Sequence, residues 1–245
     1  MSMKFLLIYF LILTSNCSFI DDFIKKLRCF LQTNVDNQVI VDFMEIVRKI
    51  TKKYTNHLEK NREAFKNHIN YIKTNKGFIE DQKNYTDMSY GIFHLSKNGC
   101  GTIATYNVLY ALTGNNDIDY ASIVDEYEKD GIALYGLLGT SGIAIEDYFK
   151  KNGFKTMSSS KEEDFDKIGF ETDASVVLVY NDRDDILDSI HYMAITKHEN
   201  KFYFHNLHKG GGVPSNVGYE SVMDGVSKIN NGKSKGIFLV GVSKN

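Results

Sequence analysis

HLSKNGCGTIATYNVLYALTG, residues 94–114, sets a lone cysteine, Cys100, between two glycines and follows it at once with a mostly apolar run. Residues 102–112 predict a buried helix that ends at Gly114. A thiol at that corner is either a small buried residue in a tight turn or a nucleophile at the mouth of a helix. In the second case the helix dipole and the unpaired N–H groups of the first turn favour thiolate over thiol. Gly99 and Gly101 then allow a substrate to come close, and the same N–H groups can hold a developing oxyanion.

Downstream, residues 118–129 and 143–151 predict two further helices, the second capped by Thr140 or Ser141 and closed by Gly153. Residues 162–168 predict a short fourth. ASVVLVY (174–180), HYMAITK (191–197), KFYFHNL (201–207) and GIFLVGV (236–242) predict strands, and the HENK joint suits an antiparallel hairpin. Helices first and strands second imply an α+β layout with an antiparallel sheet.

A thiolate nucleophile needs a base, and the base needs a group that orients it. His191 opens a strand directly after the acidic loop NDRDDILDS, and Asn206 ends the next strand fifteen residues later. If these strands pair through a short turn, the Asn206 side chain can accept the imidazole N–H and fix the ring. The competing assignments are a core histidine satisfied by a hydrogen bond and an ordinary strand-end asparagine. His205 and His208, with His198 nearby, suggest a metal pair, but no carboxylate or cysteine completes a familiar set, so no metal is expected. NDRDD reads as a solvated turn rather than a cation loop. KGGGVPSN lacks the helix and lysine of a phosphate cradle and reads as a loop at the site rim.

The ordered set NGCGTIATYNVLYALTG, GTSGIAIEDYFKKNGFKT, ASVVLVY, HYMAITK and KFYFHNL resembles the papain-like cysteine peptidases, and among them the bacteriocin-processing type that cleaves double-glycine leaders. The likeness covers roughly residues 90–243. It implies a papain-like fold, with the helical part that carries the nucleophile packed on the antiparallel sheet. It also implies Cys100 as nucleophile, His191 as general acid/base and Asn206 as orienting residue, acting through a thioester acyl-enzyme with no cofactor. Its substrate would be a peptide or protein. The glutamine that such peptidases carry six residues before the cysteine is His94 here, so His94 and Asn98 are the candidates for binding the oxyanion. Two alternatives stand beside hydrolysis: an acyltransferase on the same scaffold, and a catalytically inactive peptidase-like binding protein.

Composition divides the chain near Gly77. All 19 glycines lie at or after that residue, and the single proline is Pro214. Residues 21–76 carry a net charge of +5 and residues 77–245 a net of −8. This suggests a basic helical arm over 19–76 and a peptidase domain over 77–245. With an overall charge of −2 and no aromatics interleaved with bases, nucleic acid is not an expected partner. Residues 38–73 predict continuous helix with a lysine-rich solvated face. Phe5 to Leu13 form nine apolar residues, the size of a signal-peptide core, so 1–18 is assigned as a signal or membrane-anchor segment. An amphipathic pattern continues from Phe19 to Leu31, which extends a membrane-contacting stretch to residues 5–31. Secretion or membrane association is favoured over a cytoplasmic location. Three cysteines without regular spacing do not form a disulfide framework.

Overall fold

A computed structural model describes residues 36–51, 55–115, 117–182, 190–207 and 216–245. The segments 1–18 and 5–31, together with most of the acidic loop and of the glycine loop, lie outside these residues.

The first described helix, α1 (Asn37–Ile50), starts at Asp36, whose carboxylate accepts from the Gln38 N–H at 3.0 Å. Its apolar residues recur at helical spacing and bury Ile40, Val41, Met44 and Val47. The expected continuous helix over 38–73 is interrupted. Thr51 folds inward, its hydroxyl donating to Val47 O at 2.7 Å and accepting from Leu134 N at 3.1 Å. Helix α2 (Leu58–Lys66) and α3 (Ile69–Thr74) follow as separate pieces. Between α1 and α2, Thr55 and His57 turn toward the buried carboxylate of Glu128. Periodicity had no means of showing this break, because the partners lie 71 to 83 residues further along the chain.

The described part of the arm shares one core with the rest of the molecule. Ile40, Val41, Met44 and Ile72 pack in the same cluster as Ile103, Val108, Val176 and Tyr192. The change of charge and glycine content at Gly77 is therefore not a gap in packing. A buried ion pair adds to the attachment. Arg48 reaches Glu45 at 2.5 and 2.7 Å and the Asp130 carbonyl at 2.5 Å, while Ser141 donates to Glu45 at 2.9 Å. Burial opposes ionisation of Glu45, but the bonds from Arg48 and Ser141 win and hold its carboxyl below the usual range. Removing one partner of such a pair strands a buried charge. Arg48→Met is therefore expected to cost about 3 kcal/mol in urea unfolding, and Glu45→Gln added to it should recover part of that loss. A single-variant loss below about 1 kcal/mol would contradict this account.

A short hairpin, β1 (Ser89–Tyr90) and β2 (Phe93–His94), leads into α4 (Leu95–Asn98) and the central helix α5 (Cys100–Thr113). Gly114 caps α5 in the left-handed conformation, φ 63°. Helices α6 (Tyr120–Asp130) and α7 (Gly142–Lys151) follow, then β3 (Lys155–Ser159), α8 (Phe165–Glu171), β4 (Ala174–Tyr180), β5 (Ile190–His198), β6 (Lys201–His205), α9 (Val222–Gly232) and β7 (Lys235–Ser243). The larger strands form one antiparallel sheet in the order β3-β7-β4-β5-β6. The molecule is thus α+β.

Alternation along the strands divides the sheet into two faces. Val176, Leu178, Tyr192 and Ala194 pack against α5, while Val177, Val179, Met193 and Ile195 pack against α8 and α9. The β5–β6 hairpin closes at His198↔Lys201, with Glu199 and Asn200 both at positive φ, as a tight two-residue turn requires.

Candidate active site

Helix α5 starts at Cys100, with Gly99 as its N-cap. It is buried on every side from Cys100 to Val108, which explains its nearly continuous apolar sequence. The threonines inside it are satisfied: Thr102 pairs with the Tyr120 hydroxyl at 2.8 Å and Thr105 with that of Tyr127 at 2.7 Å. The glycines flanking Cys100 are required by packing. A Cβ on Gly101 would lie 2.7 Å from the Thr140 side chain, and one on Gly99 would lie 2.4 Å from Leu95. Thr140 is itself fixed by the Tyr90 hydroxyl at 2.8 Å and, through its carbonyl, by the Tyr192 hydroxyl at 3.0 Å.

Cys100 is 9 % exposed. Burial pushes its thiol up, against the pull of the main-chain N–H groups of Tyr192, Gly101 and Cys100 itself. The expected preference for thiolate is therefore outweighed by loss of solvent around the sulfur. The Tyr192 amide has a second meaning, since it belongs to the residue after His191. Strand β5 thus runs alongside the start of α5 at the level of the sulfur.

His191 is buried near the start of β5, and its Nε2 lies 2.6 Å from the main-chain oxygen of Asn206. A carbonyl oxygen only accepts, so Nε2 carries the proton, and in the neutral ring Nδ1 is left as the basic nitrogen. The sequence pointed to the Asn206 side chain for this contact. The main chain makes it instead, and Asn206 Oδ1 accepts from Gln82 N at 3.0 Å. The reason is local. The β5–β6 ladder ends at Ala194↔His205, and Asn206, the next residue, turns out of it at φ +60°, a conformation asparagine tolerates better than most residues.

The oxyanion candidates lie at the two ends of α4. His94 is exposed at its N-cap and makes no capping bond with its side chain. The Asn98 amide donates to the Gly136 carbonyl. His205 is held by Glu80 and Thr196 within the fold. Among the described residues no group of three or more His, Cys, Asp or Glu is placed to hold a metal ion, and no helix is long and apolar enough to cross a membrane.

The structure thus joins His191 to Asn206 directly and packs the helix that Cys100 opens along the strand that carries His191. Glu80, Gln82 and Tyr192 are additions that the sequence did not suggest. Tyr192 was legible only as an apolar strand residue, Glu80 sits in a loop, and Gln82 opens a single 3-10 turn, Gln82–Asn84, with no local pattern to mark it. Compared with protein-family models, curated proteins and solved structures, the chain matches none of them.

Proposed function

We propose that this chain is a cysteine peptidase of papain-like architecture that hydrolyses peptide bonds through Cys100. One observation carries the proposal. The thiol opens the central helix, which packs along β5, the strand that carries His191, and the His191 ring is oriented through Nε2 by the Asn206 carbonyl at 2.6 Å.

The buried thiol starts protonated, so proton removal accompanies attack. His191 Nδ1 takes the Sγ proton as the sulfur adds to the substrate carbonyl carbon. The tetrahedral oxyanion is stabilised by N–H groups at the start of α5. The imidazolium returns the proton to the departing amine, the C–N bond breaks and a thioester remains. Water, deprotonated by the same nitrogen, then releases the acid and frees the thiol. No metal or organic cofactor enters these steps. The raised thiol pKa also favours a competing assignment, an inactive peptidase-like binding protein, because a buried protonated sulfur is a poor nucleophile.

Peptides bearing an epoxide or vinyl sulfone separate the two. The folded protein is expected to gain a single adduct, mapped to Cys100 by peptide mass spectrometry, faster than the unfolded chain does. Labelling of Cys100 only after unfolding would favour the inactive protein.

A further inference from the structure

Asn206 meets His191 with a main-chain atom, so the orientation of the imidazole depends on whatever fixes that main chain. Two groups from one short stretch do so. Glu80 Oε2 accepts from Asn206 N at 3.0 Å, and Gln82 N donates to Asn206 Oδ1 at 3.0 Å. Asn206 is 1 % exposed and sits in the left-handed region, which asparagine adopts more readily than most residues but which is still less populated than the ordinary backbone regions. Glu80 is anchored in turn. Its other oxygen lies 2.7 Å from His205 Nδ1, and His205 Nε2 lies 2.9 Å from the Thr196 hydroxyl. The Phe78 ring stacks on His205 with centroids 4.0 Å apart and an interplanar angle of 15°. Side-chain exposures of 7 % for His205 and 16 % for Glu80 keep water from replacing these bonds easily.

From this arrangement we infer that Glu80 is a positioning residue for His191, acting through the main chain of Asn206. The orienting task usually given to the side chain of a third catalytic residue is carried here by a carboxylate 126 positions earlier in the chain. The two Glu80 oxygens are engaged by His205 Nδ1 and Asn206 N. Glu80 holds the Asn206 backbone at the φ that aims its carbonyl at Nε2, and that bond keeps the proton on Nε2, so that in the neutral ring Nδ1 is the basic nitrogen. Loss of the carboxylate lets Asn206 relax toward ordinary backbone angles and turns the carbonyl away. This inference rests on the peptidase proposal for its catalytic meaning, but not for its geometry.

Two measurements on the full chain, with Glu80→Gln and Glu80→Ala, separate those layers. The first is the tautomer and Nε2–H signal of His191 by nitrogen-15 NMR, which needs no turnover. Wild type should show one tautomer, protonated at Nε2, with slow exchange. Glu80→Gln, which keeps one acceptor for two donors, should show faster exchange, and Glu80→Ala a mixed tautomer. The second is peptide turnover, where kcat should fall by about 10-fold to 100-fold, most in Glu80→Ala, with KM little changed. His205→Phe keeps an aromatic ring over Phe78 while removing the link to Glu80, and should resemble Glu80→Gln if Glu80→Ala does not fold. Arg48→Met, remote from this cluster, controls for lost stability. An unchanged His191 signal in folded Glu80→Gln and His205→Phe overturns the inference. The expected NMR changes in a protein without turnover would instead count against the peptidase proposal alone.

Discussion

Cys100→Ala is expected to lower peptide hydrolysis by at least ~10³-fold, because it deletes the atom on which the acyl group is carried. The fold should survive. The substitution removes one sulfur from the first turn of α5, while the contacts that seat the helix, Gly101 against Thr140 and the threonine–tyrosine pairs, are untouched. A thermal midpoint near that of wild type would separate lost chemistry from lost structure. Cys100→Ser should be nearly as inactive, since an alcohol is far harder to ionise than a thiol and burial raises that barrier further. Turnover in Cys100→Ala equal to wild type, with the same products, would remove Cys100 from the mechanism.

His191→Ala is expected to lower kcat/KM by about 10²-fold to 10⁴-fold at neutral pH, the range for a positioned general acid and base. Its pH dependence should be equally informative. Burial has pushed the Cys100 thiol above its ordinary value, so without a base the thiolate forms only in alkaline solution. Residual activity in the variant should climb with pH through and beyond the normal thiol range, whereas wild type is expected to be active at neutrality. Rates of alkylation by iodoacetamide, followed across pH, report the same ionisation without a substrate. Equal alkylation profiles for wild type and His191→Ala would show that the imidazole does not serve this sulfur.

Much of the scaffold was legible because its signals are local. ASVVLVY became β4 with both ends as expected, since a strand buried on both faces is an unbroken apolar run bounded by polar turns. The HENK joint and the glycine after α5 were equally direct. β3 was missed because Lys155–Ser159 is an edge strand, largely exposed and polar. α9 was missed because Gly225 interrupts its pattern, although that glycine is required there: a Cβ would come within 2.1 Å of Phe204. At the site, Cys100, His191 and Asn206 could be singled out from their places at element ends. The atom by which Asn206 acts could not, because it follows from where the β5–β6 ladder stops. Glu80 could not either, because a carboxylate in a loop has no periodicity to mark its partner.

The placement of β7 has a consequence for how the chain assembles. Residues 235–243 lie between β3 and β4, in the interior of the sheet rather than at its border. Synthesis from the amino end therefore delivers the flanking strands before the seam that joins them. Until that seam is filled, β3 has no hydrogen-bonded neighbour and β4 keeps one side open, and the floor under the cysteine-bearing helix is incomplete. Assembly has to wait for contacts between distant parts of the polypeptide, which slows folding and leaves apolar strands unpaired in the interval.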